Sequence, residues 1–172
     1  MAELRLPAGG LAELRRAIEE TATQDAVRAL REAGRRLAAD AELAIAERGG
    51  RPLPALPLAT FWSELNRYFD EAGWGRIEHQ EVNPGVGAVV ARDWAESDPH
   101  EDRGAPGCHI STGLLAELLT RAVGQPVAVL EVGCRSQGND ACRFLFGSPT
   151  TLLLVHKRLA QAASVEDALT AL

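Results

Sequence analysis

The sequence predicts an α+β fold in which an antiparallel sheet is packed with helices. Segments of helical and strand periodicity follow one another as two or three helices, a strand pair, a helix, a second strand pair and a closing helix. Within each pair the strands are joined by a short polar turn, so they pair locally and antiparallel, without the long crossovers of a doubly wound sheet. The 172 residues, 46% apolar and 24% charged, suit one domain with a sizeable core, with or without a helical extension.

Leu11 to about Thr21 reads as a short helix with Leu11, Leu14 and Ile18 on one face. Residues 1–22 are assigned as a helical extension and residues 23–172 as the main domain. Thr23 offers a cap for a second helix that runs to about Arg48 and ends at Gly49-Gly50. Its apolar positions are Val27, Leu30, Leu37, Ala41 and Ala44. Arg51 to Pro57 holds three prolines and forms a stiff connector. Ala59 to Ala72 is the third helix, with Phe61, Leu65, Tyr68 and Phe69 on one side, and Gly73-Trp74-Gly75 breaks it. Arg76 to Val82 and Gly87 to Trp94 follow as strands around the turn Asn83-Pro84-Gly85. Ser97 to Gly107 is polar, rich in Pro and Gly, and therefore a loop. Ile110 to Val123 is an amphipathic helix closed by Gly124. Val127 to Gly133 and Cys142 to Phe146 form the second strand pair, and Thr150 to Ala163 the closing helix.

Composition excludes several classes. A net charge of -6 argues against a nucleic-acid surface, which needs a basic face. The densest basic cluster, Arg28, Arg31, Arg35 and Arg36, is interleaved with Glu32 and Asp40 and reads as a solvated helix face. No apolar run approaches the ~20 residues of a membrane span. Met1 to Gly10 has no basic region followed by an apolar core, so the expected location is the cytoplasm.

All three cysteines fall between positions 108 and 142, an odd count that argues against a disulfide framework. Glu131 and Cys134 end one strand, and Cys142 opens the next after a polar turn containing Gly138. Such a hairpin brings Cys134 and Cys142 together across its mouth. Cys108 stands at a helix start, where the macrodipole favours a thiolate. Three sulfurs and one carboxylate oxygen suit tetrahedral zinc, and four protein ligands leave no open position for catalysis. The alternative at this point is three unrelated buried cysteines.

Three stretches carry a resemblance. Gly107-Cys108-His109-Ile110-Ser111-Thr112-Gly113, Val129-Leu130-Glu131-Val132-Gly133-Cys134 and Gly138-Asn139-Asp140-Ala141-Cys142-Arg143-Phe144 resemble the 4-vinyl reductase, or hydrocarbon-binding, domain family. The resemblance implies a fold like that of Golgi transport-particle subunits and phenol-sensor domains. It also implies a homodimer, an apolar pocket, and a zinc held by Cys108, Glu131, Cys134 and Cys142. In the phenol sensors a Trp on the second strand and an upstream His hold the phenol hydroxyl; Trp94 and His79 are the matching candidates, across a shorter loop. The 172 residues contain neither an ATPase module nor a helix-turn-helix, so a partner regulator or enzyme is expected.

Six of the eight aromatics lie between positions 61 and 94. Phe61, Leu65 and Phe69 read as core. An enclosed apolar cavity is expected between the sheet and the helix Ala59 to Ala72, bordered by Trp62, Tyr68, Trp74 and Trp94, with a ligand oxygen meeting the Trp94 N–H. The small residues Ala26, Ala33, Gly34, Ala41 and Ala44 predict a dimer through the second helix. His109 is not expected to bind the metal beside Cys108, and Asp98 and Glu101 read as solvated. No catalytic residues are assigned. The leading function is a homodimeric zinc-containing sensor or carrier of an apolar or aromatic molecule. An accessory protein or enzyme of tetrapyrrole vinyl-group reduction is one alternative, although the sequence has no dinucleotide fingerprint. A protein-protein scaffold is the other.

Overall fold

The computed structural model describes residue 7 and residues 9–22, 25–161 and 164–170. Two helices, α1 (Gly10–Ala22) and α2 (Ala26–Gly49), lead through a short 3-10 turn, Leu53–Ala55, to α3 (Leu58–Glu71). The hairpin β1 (Arg76–Asn83) and β2 (Val86–Arg92) follows, then α4 (His109–Val123). A second hairpin, β3 (Ala128–Gly133) and β4 (Cys142–Gly147), precedes α5 (Pro149–Leu159) and α6 (Val165–Thr170). Thr23, the expected cap of α2, and Ala163, the expected end of the closing helix, lie outside the described residues.

The four strands form one antiparallel sheet in the order β1-β2-β4-β3. The hairpins meet at the β2–β4 seam, where Val86 pairs with Gly147 and Ala91 with Cys142. Alternation along these central strands buries both faces. Val89, Ala91, Cys142 and Phe144 join the core under α2, α3 and α4. Val86, Ala88 and Leu145 join a second core with Leu152, Val155 and Leu169 of α5 and α6. Helices therefore cover both faces. The single closing helix expected at Thr150 to Ala163 is instead two, because Ser164 starts a new one: its Oγ accepts from Asp167 N at 3.0 Å.

Glycine brings α2 and α4 together. A Cβ on Gly34 would lie 2.0 Å from the Ile110 carbonyl oxygen, and one on Gly113 1.9 Å from that of Arg31. Gly34, expected on a face that meets a second copy, is thus used against α4 of its own chain, and Ala41 is fully buried in the core. Ala33 remains exposed. The opposite side of α2 is solvated as its charge pattern predicts, with Glu32 paired to both Arg35 and Arg36.

The register of the first hairpin changes one expectation. Ile77, His79 and Glu81 stand opposite Ala91, Val89 and Gly87, and share their face. Val90 and Arg92 point to the other side. The expected continuation of the strand to Trp94 does not occur, and β2 stops at Arg92. Asp93 adopts φ 52°, and this bend swings Trp94 into the core.

Candidate functional site

The three cysteines and Glu131 converge from three elements. Cys108 stands immediately before α4, Glu131 lies in β3, Cys134 follows its end, and Cys142 opens β4. Residues three apart on a regular strand face opposite sides. Glu131 and Cys134 nevertheless reach one point, because the β3–β4 register shifts between Glu131 and Gly133. The turn between the strands is held by the Cys134 carbonyl, which accepts from Gln137 N at 2.9 Å and Asn139 Nδ2 at 3.0 Å, and by Gly138 at φ 84°.

The Cys108 sulfur lies 3.7 Å from that of Cys134 and 3.7 Å from that of Cys142. One ligand atom from each of the four residues lies within 4.8 Å of the others. Sulfurs at two corners of a tetrahedron around zinc, each about 2.3 Å from the ion, stand about 3.8 Å apart, so the spacing fits. Glu131 Oε2 accepts from Cys108 N at 2.8 Å, while Oε1 is buried with no hydrogen-bond partner among the described residues. An unpaired buried carboxylate oxygen is costly unless a cation or proton meets it. All three thiols are free and buried. The cluster therefore has the donor set, spacing and unmet charge of a metal site.

Its acids cannot all ionise together without a cation. Burial and the neighbouring Cys134 push the Glu131 carboxyl up to about 9. Hydrogen bonds from Cys108 and Cys142 hold the Cys134 thiol well below its ordinary value. Hydrogen bonds to the other two thiols, with burial, push Cys108 well above it. The negative charge thus centres on Cys134, and a cation would displace the remaining protons.

A cavity of about 820 Å³ opens at the far end of the same layer. Its walls are Phe61 and Trp62 of α3, Leu119 and Ala122 of α4, and His79 and Phe146 of the sheet. Gly87 makes part of this space: a Cβ there would stand 2.3 Å from the Phe146 ring. His79 stacks on Trp62, with centroids 4.2 Å apart and planes 7° from parallel. Burial lowers the His79 pKa, which keeps the imidazole neutral.

Residues 96–148 match the family model of the V-4-R, or 4-vinyl reductase, domain. That segment contains all four cluster residues. The chain carries a 4-vinyl reductase domain.

An uncharacterised protein of Methanocaldococcus jannaschii is 30% identical to the chain over 83 residues, 48% of this chain and 44% of that protein. The match therefore spans less than half of that relative's length. Among solved structures, the fold resembles the phenol-responsive sensory domain of the transcription activator PoxR with phenol. The TM-score is 0.67 at 18% identity, covering 93% of this chain and 83% of that one. A vinyl-4-reductase family protein from Methanocaldococcus jannaschii gives 0.53 at 21% identity, covering 84% and 82%. Trafficking protein particle complex subunit 3 from Naegleria fowleri, covalently bound to palmitic acid, gives 0.58 at 13% identity, covering 80% and 93%. At these identities the likeness is one of fold.

Of the aromatics weighed for the pocket, Trp62 and His79 line the cavity, while Tyr68, Trp74 and Trp94 stand away from it. Trp94 is 1% exposed and packs on Phe69, Trp74 and Phe144. Its N–H has a partner within the chain, donating to Ser111 Oγ at 2.7 Å.

Two groups in and around the 4-vinyl reductase segment escaped the sequence reading. Glu96 is fully buried at the start of α4 and accepts from the backbone N–H groups of Ile110 and Ser111 at 2.7 Å each, and from the Ser111 hydroxyl. Burial raises its carboxyl to about 7 against these stabilising bonds. Arg15 of α1 is also fully buried; it pairs with Glu19 and Glu101 and donates to the Glu96 carbonyl. Arg103 bridges Glu19 and Glu101 as well, and its backbone N–H donates to the Ser136 carbonyl beside the cysteine turn. Glu101 is therefore paired, not solvated as expected. His109 stands outside the metal cluster, 3.9 Å from Glu19, with its pKa pushed down to about 4 by burial and then by Arg31. No local sequence pattern announces these contacts, because each joins residues far apart in the chain.

Proposed function

We propose that this protein is a homodimeric, zinc-containing binding module, a sensor or carrier, for an apolar or aromatic small molecule. The 820 Å³ cavity, with largely apolar walls and His79 as one of its few polar groups, is the observation that carries this reading. Its size and composition are those of small-molecule sites, and Trp62 and His79 are the contacts assigned to the ligand. Two neighbours in fold support it: one is a phenol-responsive sensory domain with phenol, the other is covalently bound to palmitic acid.

Cys108, Glu131, Cys134 and Cys142 would hold the zinc. Bound there, the metal would supply folding energy by tying the start of α4 to the β3–β4 turn. Three free thiols suit a reducing compartment such as the cytoplasm. No helix among the described residues is long and apolar enough to cross a membrane. Exposed Val27, Leu37 and Leu43 offer the α2 side of a dimer contact.

Native mass spectrometry of protein purified without chelator tests metal, ligand and dimer at once. The expected species is a dimer with about one zinc per chain and additional ligand mass. A folded, metal-free monomer that binds nothing would sink the proposal.

A further inference from the structure

We infer that the ligand is a flat aromatic molecule of two or more fused rings with one hydrogen-bonding oxygen, larger than a single-ring phenol. This rests on the binding-module reading and narrows it to a ligand class. Volume decides the size. A dry cavity of roughly 150 Å³ accommodates one benzene ring, and the cavity here measures about 820 Å³. Even with half of that in the open mouth, a single ring would leave most of the apolar wall wet.

Ring geometry decides the shape. Trp62, His79 and Phe146 form one aromatic shelf: His79 lies flat on Trp62, and Phe146 stands 5.7 Å from Trp62 and 5.8 Å from His79. A planar ligand extends such a shelf by offset stacking. Scarcity of polar groups decides the chemistry. His79 can exchange one hydrogen bond with a ligand hydroxyl, and the indole N–H of Trp62, in the same wall, is buried without a partner among the described residues. Leu58 and Val123, 64% and 62% exposed, extend the apolar surface beyond the mouth, where a second or third ring would rest.

The test is titration of the full chain with phenol, 1-naphthol, 1-hydroxypyrene, pyrene and palmitate, followed by tryptophan fluorescence and calorimetry. The expected order is 1-hydroxypyrene, then 1-naphthol, then phenol, with at least tenfold between the ends. Ala122→Trp, which fills the cavity, should weaken 1-hydroxypyrene at least tenfold and phenol far less. Val123→Trp, at the exposed rim, gives the same comparison with little risk to folding. His79→Leu should weaken 1-hydroxypyrene while leaving pyrene unchanged. Phenol binding as tightly as 1-hydroxypyrene, or palmitate binding tightest, overturns the ring-size inference and leaves the binding module standing. If nothing in the panel binds, both readings fall.

Discussion

Glu96 offers a direct test of the electrostatics at the start of α4. Its carboxyl is fully buried and raised from 4.5 to about 7. The folded chain therefore holds this proton to higher pH than the unfolded chain does. The contribution is fully present below about pH 4.5 and is lost as pH rises through about 7. At about 1.4 kcal/mol per pH unit, the loss amounts to about 3 kcal/mol. Glu96→Gln removes the titration but keeps the shape. It also turns an amide N–H₂ toward either Ile110 N or Ser111 N, both donors, so one bond is lost at a cost of about 1–3 kcal/mol. The variant should be less stable than the parent at pH 5, and the gap should close or reverse by pH 8. Urea unfolding of both proteins from pH 5 to 8.5 measures this. The cysteine cluster titrates alike in both, so it cancels in the difference. Parallel stability curves would refute the assignment of a buried, proton-holding carboxyl.

Three further outcomes follow from the geometry. Gly113→Ala places a methyl 1.9 Å from the Arg31 carbonyl and should cost about 3 kcal/mol as α2 and α4 are forced apart, read as a fall in thermal midpoint. Cys142→Ser should lower metal content measured by elemental analysis and destabilise the fold, whereas Cys142→Ser protein with full metal and an unchanged midpoint would remove Cys142 from the site. Arg15→Ala strands Glu19 and Glu101 and should cost about 3–5 kcal/mol in denaturant unfolding, with Glu101→Gln in the same chain recovering part of it.

Periodicity made α1, α2, α3, α4 and both hairpins legible, because each element advertises a buried face through its own spacing. The cysteine cluster was legible too, since Cys134 and Cys142 flank a single turn and Cys108 marks a helix start. The cavity was placed in the right layer but at the wrong end. Grouping Trp94 with Val90 and Arg92 assumed that β2 runs straight, and the positive φ of Asp93 ends it two residues earlier. The cap Ser164-x-x-Asp167 was visible in the sequence and would have separated α5 from α6. Glu96 and Arg15 could not be found this way. A charged residue is read as solvated unless its distant partners are known, and Arg15 meets Glu101 across 86 positions.

That separation sets an order on synthesis. The chain emerges N-terminus first, so α1 exists well before Glu101 and Arg103 leave the ribosome. Until then Arg15 has only Glu19, four residues along its own helix, and otherwise stays hydrated. The guanidinium can be withdrawn from water only once residues 96–103 are in place to receive it. Docking of α1 is accordingly a late event of folding, and it ends next to the turn that carries Cys134. A nascent chain stalled before residue 101 should therefore leave α1 open to protease, and one released beyond the second hairpin should protect it.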